Sequence, residues 1–247
     1  MVRYSRRYRS GRVKRLTLTN RKIYARTGAR AQANQISLLN RKVRKLARAT
    51  KPEKKVITYQ PSTATFSSRA GGDVHAVYSV PDIVNGSSDN ARIGDKIFRR
   101  DSWNMSFEYY NNSNTGYHSS ESSGAQIRII CGCWRTPHNA LNTPTVDQVI
   151  DHYDSSGDGY KTAAVAPLLN GVTEFCKIFS DRVYYITSDK NQKQVKVKTP
   201  WYSCRYDYDG NSNHAWIIVV VAGLHYDNDF SEYVELSHIK KSVYTDA

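Results

Sequence analysis

The lysines and arginines of the first 55 residues are the side chains with the clearest chemistry. This segment, the arm, holds 19 Lys or Arg and one acid, Glu53, so its formal charge is +18. Because the whole chain carries +14, residues 56–247 sum to −4. A segment with so little internal counter-charge repels itself until a polyanion neutralises it. Nucleic acid is the expected polyanion, since each neutralised phosphate releases condensed counterions. An anionic membrane is the competing partner, and the modest apolar content of the arm counts against it.

Arginine and tyrosine give residues 1–30 their character: nine arginines and two lysines occur together with Tyr4, Tyr8 and Tyr24. Guanidinium groups bind phosphate in a bidentate manner, and both guanidinium planes and tyrosine rings stack on unpaired bases. The mixture predicts binding of single-stranded nucleic acid without sequence preference; alternatively, the tyrosines are incidental in a chain that has 18 of them. The predicted nucleic-acid-binding residues are Arg3, Arg6, Arg7, Arg9, Arg12, Lys14, Arg15, Arg21, Lys22, Arg26, Arg30, Arg41, Lys42, Arg44, Lys45 and Arg48.

Residues 32–50 have the periodicity of a helix. The apolar positions, at spacings of three, four and three residues, are Ile36, Leu39, Val43 and Leu46. They fall within about 80° of the helix circumference, and basic residues fill the opposite side. The pattern predicts an amphipathic helix that stops before Pro52, because a residue preceding proline disfavours the α region. A short helix is marginal alone, so the apolar stripe needs a partner: another copy, its own domain or a membrane.

Residues 56–247 alternate between apolar and polar types in a way that predicts strands. The predicted strands are Val56–Tyr59, Val74–Val80, Ile97–Tyr110, Ile127–Trp134, Phe175–Ile186, Gln194–Tyr206 with a break near Pro200, Ala215–Tyr226 and Tyr233–Tyr244. Long polar loops are predicted at residues 82–95 and 111–124, and a short helix at Thr145–Tyr153. The chain is therefore predicted to be all-β, with a basic arm (1–55) before a single eight-stranded β-sandwich (56–247) of jelly-roll or Greek-key type.

Motifs of the common enzyme classes are missing from the sequence. There is no Gly-Lys dipeptide and hence no P-loop, and neither G-x-S-x-G, H-E-x-x-H nor a His-x-His pair occurs. The seven histidines are scattered singly. These absences argue against a P-loop replication enzyme, a nucleophile-elbow hydrolase and a metal-dependent nicking enzyme. The sequence predicts a protein that is not an enzyme.

Four cysteines are predicted to be reduced thiols in strands, because no secretory leader precedes them. They are Cys131, Cys133, Cys176 and Cys204. The spacing of Cys131-Gly-Cys133 is too tight for a zinc knuckle. The first fifteen residues begin with basic residues but contain no apolar stretch, and no run approaches the roughly 18 apolar residues of a membrane span. We therefore expect no membrane insertion, and the basic pairs from Arg6-Arg7 to Lys14-Arg15 predict a nuclear address.

Two acidic segments have spacing related to calcium sites. Asp154-Ser-Ser-Gly-Asp158-Gly159 matches the opening of a calcium loop, but its twelfth position is Val165 rather than a bidentate acid, which favours a plain turn. Asp227, Asp229 and Glu232 are predicted to form a solvated loop, with Ca²⁺ held between subunits as the alternative. No resident metal or other cofactor is expected.

The order of these features resembles that of small icosahedral capsid proteins. Three segments match in order: Arg92-Ile-Gly-Asp-Lys-Ile97 before the long strand, Thr143-Pro-Thr-Val146 with Val149, and Val243-Tyr-Thr-Asp-Ala247. They resemble the single jelly-roll coat protein of satellite tobacco necrosis virus. The segment Arg3-Tyr-Ser-Arg-Arg-Tyr-Arg9 resembles the arms of capsid proteins of circoviruses and related viruses with small circular single-stranded DNA genomes.

The resemblance implies a structural capsid protein of which sixty copies close into a T=1 shell. The implied partners are the chain itself, a single-stranded viral genome with DNA favoured over RNA, and the host nuclear import machinery. The implied location is the virion, and the host nucleus during assembly if the genome is DNA. The apolar stripe of the predicted helix would pack against symmetry mates near a three-fold axis. The alternative from another class is a cellular or ribosome-associated RNA-binding protein with a basic tail, which predicts a monomer with a basic patch on its body.

Overall fold

The computed structural model describes residues 29–49, 53–67, 74–88, 91–113, 124–139, 143–151, 164–224 and 230–246. The chain divides into two compact units, Met1–Lys51 and Pro52–Ala247. The described part of the first unit is one helix, α1 (Ala29–Ala49). The predicted helix is thus present, and it begins three residues earlier than predicted because Ala29, Ala31 and Ala33 favour helical backbone.

The second unit, called the body below, consists of β-strands and one single-turn helix. In chain order they are β1 (Lys55–Thr58), β2 (Ser62–Ser67), β3 (His75–Ser79), β4 (Lys96–Ser113), β5 (Ala125–Trp134), α2 (Val172–Phe175), β6 (Cys176–Ile186), β7 (Gln192–Lys198), β8 (Tyr202–Arg205), β9 (Ala215–Ala222) and β10 (Phe230–Asp246). The predicted strands are all represented, and β2 and α2 are additions that the sequence pattern did not reveal. β2 was missed because its residues, Ser-Thr-Ala-Thr-Phe-Ser, include only one large apolar side chain.

The strands form two antiparallel sheets. Sheet A has the order β1-β10-β4-β7, with β2 also paired to β10 and β8 also paired to β4. β1 and β2 follow one another along β10, opposite residues 241–244 and 233–238. β7 and β8 likewise follow one another along β4. Sheet B has the order β3-β9-β5-β6. The predicted all-β sandwich is confirmed.

A hydrophobic core joins the inner faces of the two sheets. β4 contributes alternate residues, with Ile97, Trp103 and Phe107 fully buried, as the two-residue period of a strand requires. β5 and β9 supply apolar side chains from the other sheet, among them Ile127 and Ile217. Because the intervening residues of β4 face outward, the outer surface of sheet A is polar.

A second hydrophobic cluster covers the outer face of sheet B. Ile130, Trp216 and Ile218 project outward from β5 and β9 and pack with Val149 and Val172. β9 is therefore buried on both faces, which explains why all eight of its side chains are aliphatic or aromatic.

The predicted helix at Thr145–Tyr153 is wrong over the described residues 145–151. This segment forms turns, with the Val149 and Ile150 amides both donating to the Val146 carbonyl, and Ile150 makes an antiparallel bridge with Leu168. Val146, Val149 and Ile150 share a face, but burial of that face against sheet B is achieved with a single turn. Residues 152 and 153 lie outside the described ranges.

Candidate nucleic-acid interface

The apolar stripe of α1 is largely exposed. Ile36, Leu39 and Val43 expose 59%, 48% and 60% of their surface. The side chain of Leu46, the fourth predicted packing residue, lies outside the described residues. Large apolar side chains exposed in a row at helical spacing form a surface that another apolar surface can cover.

The opposite side of α1 is basic. Arg41, Lys42 and Arg44 are exposed, and the sequence of the helix contains no acid. At 100° per residue, Arg41 and Arg44 point away from the apolar stripe. Among the other predicted binding residues, the side chains of Arg30, Lys45 and Arg48 and the whole of residues 1–28 lie outside the described part. The structure therefore places three predicted packing residues along one side of the helix, with Arg41 opposite them and Lys42 and Arg44 at the two flanks.

The outer face of sheet A carries a second group of cations, which the sequence analysis did not identify. The residues of this basic patch are Lys96, Arg100, Lys196, Lys198, Arg205 and Lys241. All six are exposed, and they come from the strands β4, β7, β8 and β10. A basic patch on the body is what an RNA-binding protein with a basic tail was predicted to need, and the patch occurs although the charge of residues 56–247 sums to −4.

Strand register brings the patch together. Ser102 of β4 pairs with Lys198 on one side and with Lys241 on the other, and Asn104 pairs with Lys196. Directly paired residues place their side chains about 5 Å apart on the same face of a sheet. Lys196, Lys198 and Lys241 thus surround a shallow depression of about 200 Å³, to which Arg100 also contributes.

Arg100 is held in place within this depression. Its Nε donates a 3.2 Å hydrogen bond to the carbonyl oxygen of Thr199, which leaves the rest of the guanidinium directed to the surface. Of the described outward-facing residues from Lys96 to Ser106 in β4, and of their cross-strand partners, none is acidic. The acids on this face, Glu108 and Glu235, are paired with each other beyond Ser106. The basic end of the face therefore has no internal counter-charge and favours an anion.

Two exposed aromatic rings border the patch. Trp201 and Phe98 expose 43% and 45% of their surface. The Lys54 ammonium lies 5.8 Å from the centroid of the Trp201 ring, and the Lys96 ammonium lies 5.7 Å from that of Phe98. Such cation–π contacts keep charge and ring together at one surface. Alternating cations and exposed rings are the arrangement by which proteins bind unpaired nucleic acid.

A buried ionic network lies directly beneath the patch, on the inner side of the same strand. Arg99 donates a 2.8 Å hydrogen bond from Nε to Oδ1 of Asp101, and both side chains are fully buried. The Tyr202 hydroxyl donates to Oδ2 of Asp101 at 2.6 Å, and the Ser242 hydroxyl donates to Oδ1. The Asp101 amide donates to the Thr199 hydroxyl at 2.9 Å. The network ties β4, β8 and β10 to one another and so fixes the strands that carry the patch.

Of the acidic residues considered as calcium ligands, Glu232 is within the described part of the chain. Glu232, predicted to belong to a solvated loop, lies in β10, where it is fully buried and accepts a hydrogen bond from the Tyr109 hydroxyl. That prediction was wrong because β10 begins at Phe230, which places Glu232 on its inner face. Asp227, Asp229 and residues 154–159 lie outside the described ranges. Within those ranges, no group of three or more His, Cys, Asp or Glu side chains has the arrangement of a metal site.

The four cysteines are free and buried in strands, as predicted. Burial raises the pKa of Cys133 and of Cys176 to about 12, so both remain thiols at neutral pH. They belong to the packing of the sandwich rather than to a reactive site.

The basic patch was missed because net charge was counted over residues 56–247 as a whole. The available signal was strand alternation: Lys196-Val-Lys198 places two lysines on one face, and Arg100 and Ser102 share a face of β4. Recognising the patch required the pairing of β4 with β7 and β10, and that pairing joins residues 84–149 positions apart in the chain.

Models of known protein families give no match to the chain, and curated protein sequences give none either. Among the described helices, none has the length and apolar character needed to cross a membrane.

Proposed function

We propose that this chain is the structural capsid protein of a small icosahedral virus and that it has no catalytic role. The observation that carries the proposal is helix α1, in which exposed apolar residues follow one side and exposed cations lie on the rest of the described surface. Such a helix requires two partners, an apolar protein surface and a polyanion. A self-assembling protein that packages nucleic acid provides both.

We also propose that the body is a single jelly roll. β1 and β2 lie end to end along β10, and β7 and β8 lie end to end along β4, so each pair counts as one interrupted strand and the sandwich has eight. Successive strands then lie in sheets A, B, A, B, B, A, B and A. This alternation supports a jelly roll, an architecture that includes viral capsid proteins.

In the proposed assembly, sixty copies close into a T=1 shell through one set of repeated contacts. Ile36, Leu39, Val43 and Leu46 of one copy pack against the same residues of symmetry-related copies near a three-fold axis. Each of these side chains contributes roughly 1.5–3 kcal/mol when it passes from exposed to buried. The exposed stripe of α1 supports this contact.

The arm neutralises the packaged genome. Sixty arms of +18 supply about 1,080 positive charges, which suit a single-stranded genome on the order of one to two kilobases. DNA is favoured over RNA because the first residues of the arm are similar to those of circovirus-like capsid proteins. The protein would then belong to the virion and pass through the host nucleus, with the basic pairs from Arg6-Arg7 to Lys14-Arg15 presented to the import machinery.

The decisive experiment is a mass measurement on the expressed full chain. A shell of sixty 28.1 kDa subunits has a protein mass of about 1.7 MDa, and its ultraviolet spectrum should show packaged nucleic acid. Negative-stain images should show uniform closed particles, and digestion of their extracted contents with DNase or RNase identifies the genome type. A monomer at every salt concentration would contradict the proposal.

Variants of α1 test the assembly contact. Replacing Leu39 and Val43 with Asp places charges on the apolar stripe and should abolish closed, filled particles. The matched control replaces Ser37 and Asn40, which are exposed on the same helix, with Asp and should assemble. Normal filled particles from the Leu39→Asp/Val43→Asp variant would contradict the packing role of the stripe.

Removal of residues 1–30 tests the role of the arm. Because this change removes eleven cations, nucleic-acid binding should weaken strongly and its salt dependence should become shallower. Circular dichroism should still show a β-rich body. Unchanged, salt-sensitive binding by the truncated chain would contradict packaging by the arm.

The basic patch on sheet A supports a second candidate function, a cellular or ribosome-associated RNA-binding protein with a basic tail. Such a protein would bind RNA as a monomer of 28.1 kDa with both the arm and the body. The two candidates differ in oligomeric state, which the same mass measurement reads directly.

A further inference from the structure

We propose that the basic patch of sheet A, together with Lys54 and Trp201, is a second nucleic-acid site that binds a single strand independently of residues 1–51 of the arm. The strand is the one packaged in the proposed function, on which this inference rests. The site would align that strand along the outer face of sheet A.

The charge of the patch requires an anionic partner of some length. Six cations lie on one face, and the described residues between them include no acid. Lys198 and Lys241 flank Ser102 from β7 and β10, two strand spacings apart, so their backbones are about 10 Å from each other. Lys96 and Arg205 extend the patch beyond Phe98. A single small anion cannot contact cations spread over this distance, whereas the repeated phosphates of a nucleic acid can.

Trp201 makes the site selective for unpaired bases. The other three tryptophans are buried, with exposed fractions of 0% for Trp103 and Trp216 and 7% for Trp134, whereas that of Trp201 is 43%. A base of a duplex has both faces occupied by its neighbours, while an unpaired base can stack on an exposed ring. The Lys54 ammonium at 5.8 Å from the Trp201 centroid places a phosphate-binding charge beside the stacking surface.

The shape of the patch favours a strand over an anionic membrane. Arg100, Lys196, Lys198 and Lys241 line a depression, which a phosphate backbone can enter and a flat bilayer cannot follow. The neighbouring outward positions Ser102, Asn104 and Ser106 supply hydroxyl and amide groups that can bond to phosphate or sugar oxygens.

Fluorescence of Trp201 in the full chain tests the site directly. Emission of the wild type minus that of a Trp201→Phe variant reports this residue alone. Titration with a short oligothymidylate should quench at least half of this difference signal. A variant with Lys196, Lys198 and Lys241 replaced by Gln should lose most of the quenching. Its log–log salt slope of binding should fall by about 2, at about 0.7 per phosphate contact on a single strand.

A charge-matched control separates the patch from general electrostatics. Lys177, Lys190 and Lys193 are exposed lysines that lie in β6, in the β6–β7 connection and on the other side of β7. Their replacement by Gln removes the same charge and should leave the Trp201 quenching within a factor of two of the wild type. Equal losses in the two triple variants would overturn the proposal, as would an unchanged Trp201 signal when anisotropy shows that the oligonucleotide is bound.

Competition distinguishes the alternative partners. Duplex DNA and vesicles containing phosphatidylserine, each added at the same charge concentration, should displace the Trp201-bound strand poorly. Equal displacement by the vesicles would overturn the proposal in favour of a membrane surface. The proposed function and the patch site can fail separately. A chain that stays monomeric but shows Trp201 quenching would contradict the capsid function and support the site. Filled particles without Trp201 quenching would support the capsid function and overturn the site.

Discussion

The outer faces of the two sheets differ in a way that the shared core between them does not predict. The outer face of sheet B is apolar, and a hydrophobic cluster that includes Val149 and Val172 covers it. The outer face of sheet A is polar and basic, and its alternate residues are exposed. A covered face serves stability, whereas the basic end of the exposed face holds like charges together at a cost in free energy that an anion would relieve.

The chain builds the two faces with different strands. β9, in sheet B, is buried along its whole length, whereas residues 96–110 of β4, in sheet A, alternate between buried residues and exposed or half-buried ones. The inner face of sheet A also contains buried charged residues. Arg99 and Asp101 lie beneath the patch, and Glu232 lies further along the sheet. Four predictions compare how much each sheet contributes to the stability of the body.

The largest effect is expected beneath sheet A, from the Asp101→Asn variant. It leaves the fully buried Arg99 guanidinium without its counter-ion, and breaking a buried pair in this way costs about 3–5 kcal/mol. Urea denaturation at pH 7 measures the free energy of unfolding. The control is Asn104→Ala, which is exposed on the other side of the same strand and should change stability by less than about 0.5 kcal/mol. Equal effects of the two variants would show that the ionic network contributes nothing particular.

Truncation of one side chain in the hydrophobic cluster on the outer face of sheet B should have the next largest effect on stability. Ile150 is fully buried in the cluster on that face, so Ile150→Ala should lower the free energy of unfolding by about 2–3 kcal/mol. Ile239 projects from the outer face of sheet A with 40% exposure, and Ile239→Ala should cost less than about 1 kcal/mol. Both are measured by urea denaturation. A reversed order would mean that the face of sheet A, rather than that of sheet B, is the buried one.

Acid should destabilise the body through two buried histidines, His214 and His238. The pKa of each is lowered to about 4, chiefly by burial and, for His238, also by the Lys240 ammonium. In the unfolded chain the pKa returns to about 6.5, so between pH 6.5 and 4 the unfolded state binds more protons than the folded state. Stability is therefore full above pH 6.5 and falls as the pH falls, by at most about 1.4 kcal/mol per pH unit for each histidine.

Urea denaturation at pH 7 and pH 5 measures this loss. His238→Leu, which keeps an apolar group against Tyr78, should remove about half of the pH dependence. The same slope in the variant and in the wild type would show that His238 does not carry it. His238 belongs to sheet A and His214 precedes β9 of sheet B, so the pH dependence that remains in His238→Leu measures the contribution of His214.

How much could be predicted from the sequence depends on whether the signal was local. Helix α1 and the long strand β4 were predictable because their apolar residues recur with periods of 3.6 and 2 within one continuous segment. The helix prediction for residues 145–151 was wrong because the same spacing of apolar residues fits a single turn buried against a sheet as well as a helix. Glu232 and the basic patch depend on which strands pair, and no local pattern contains that information.

The smallest expected effect concerns the stability cost of the patch itself. Without nucleic acid, replacing Lys196, Lys198 and Lys241 with Gln relieves repulsion between cations on paired strands and should stabilise the body by up to about 0.5 kcal/mol at low ionic strength. The gain should vanish in 1 M salt, where the screening length falls to about 3 Å. The control variant at Lys177, Lys190 and Lys193 should show no comparable gain. If the patch variant is instead less stable than the wild type at low salt, the lysines hold sheet A together and are not retained for an anionic partner.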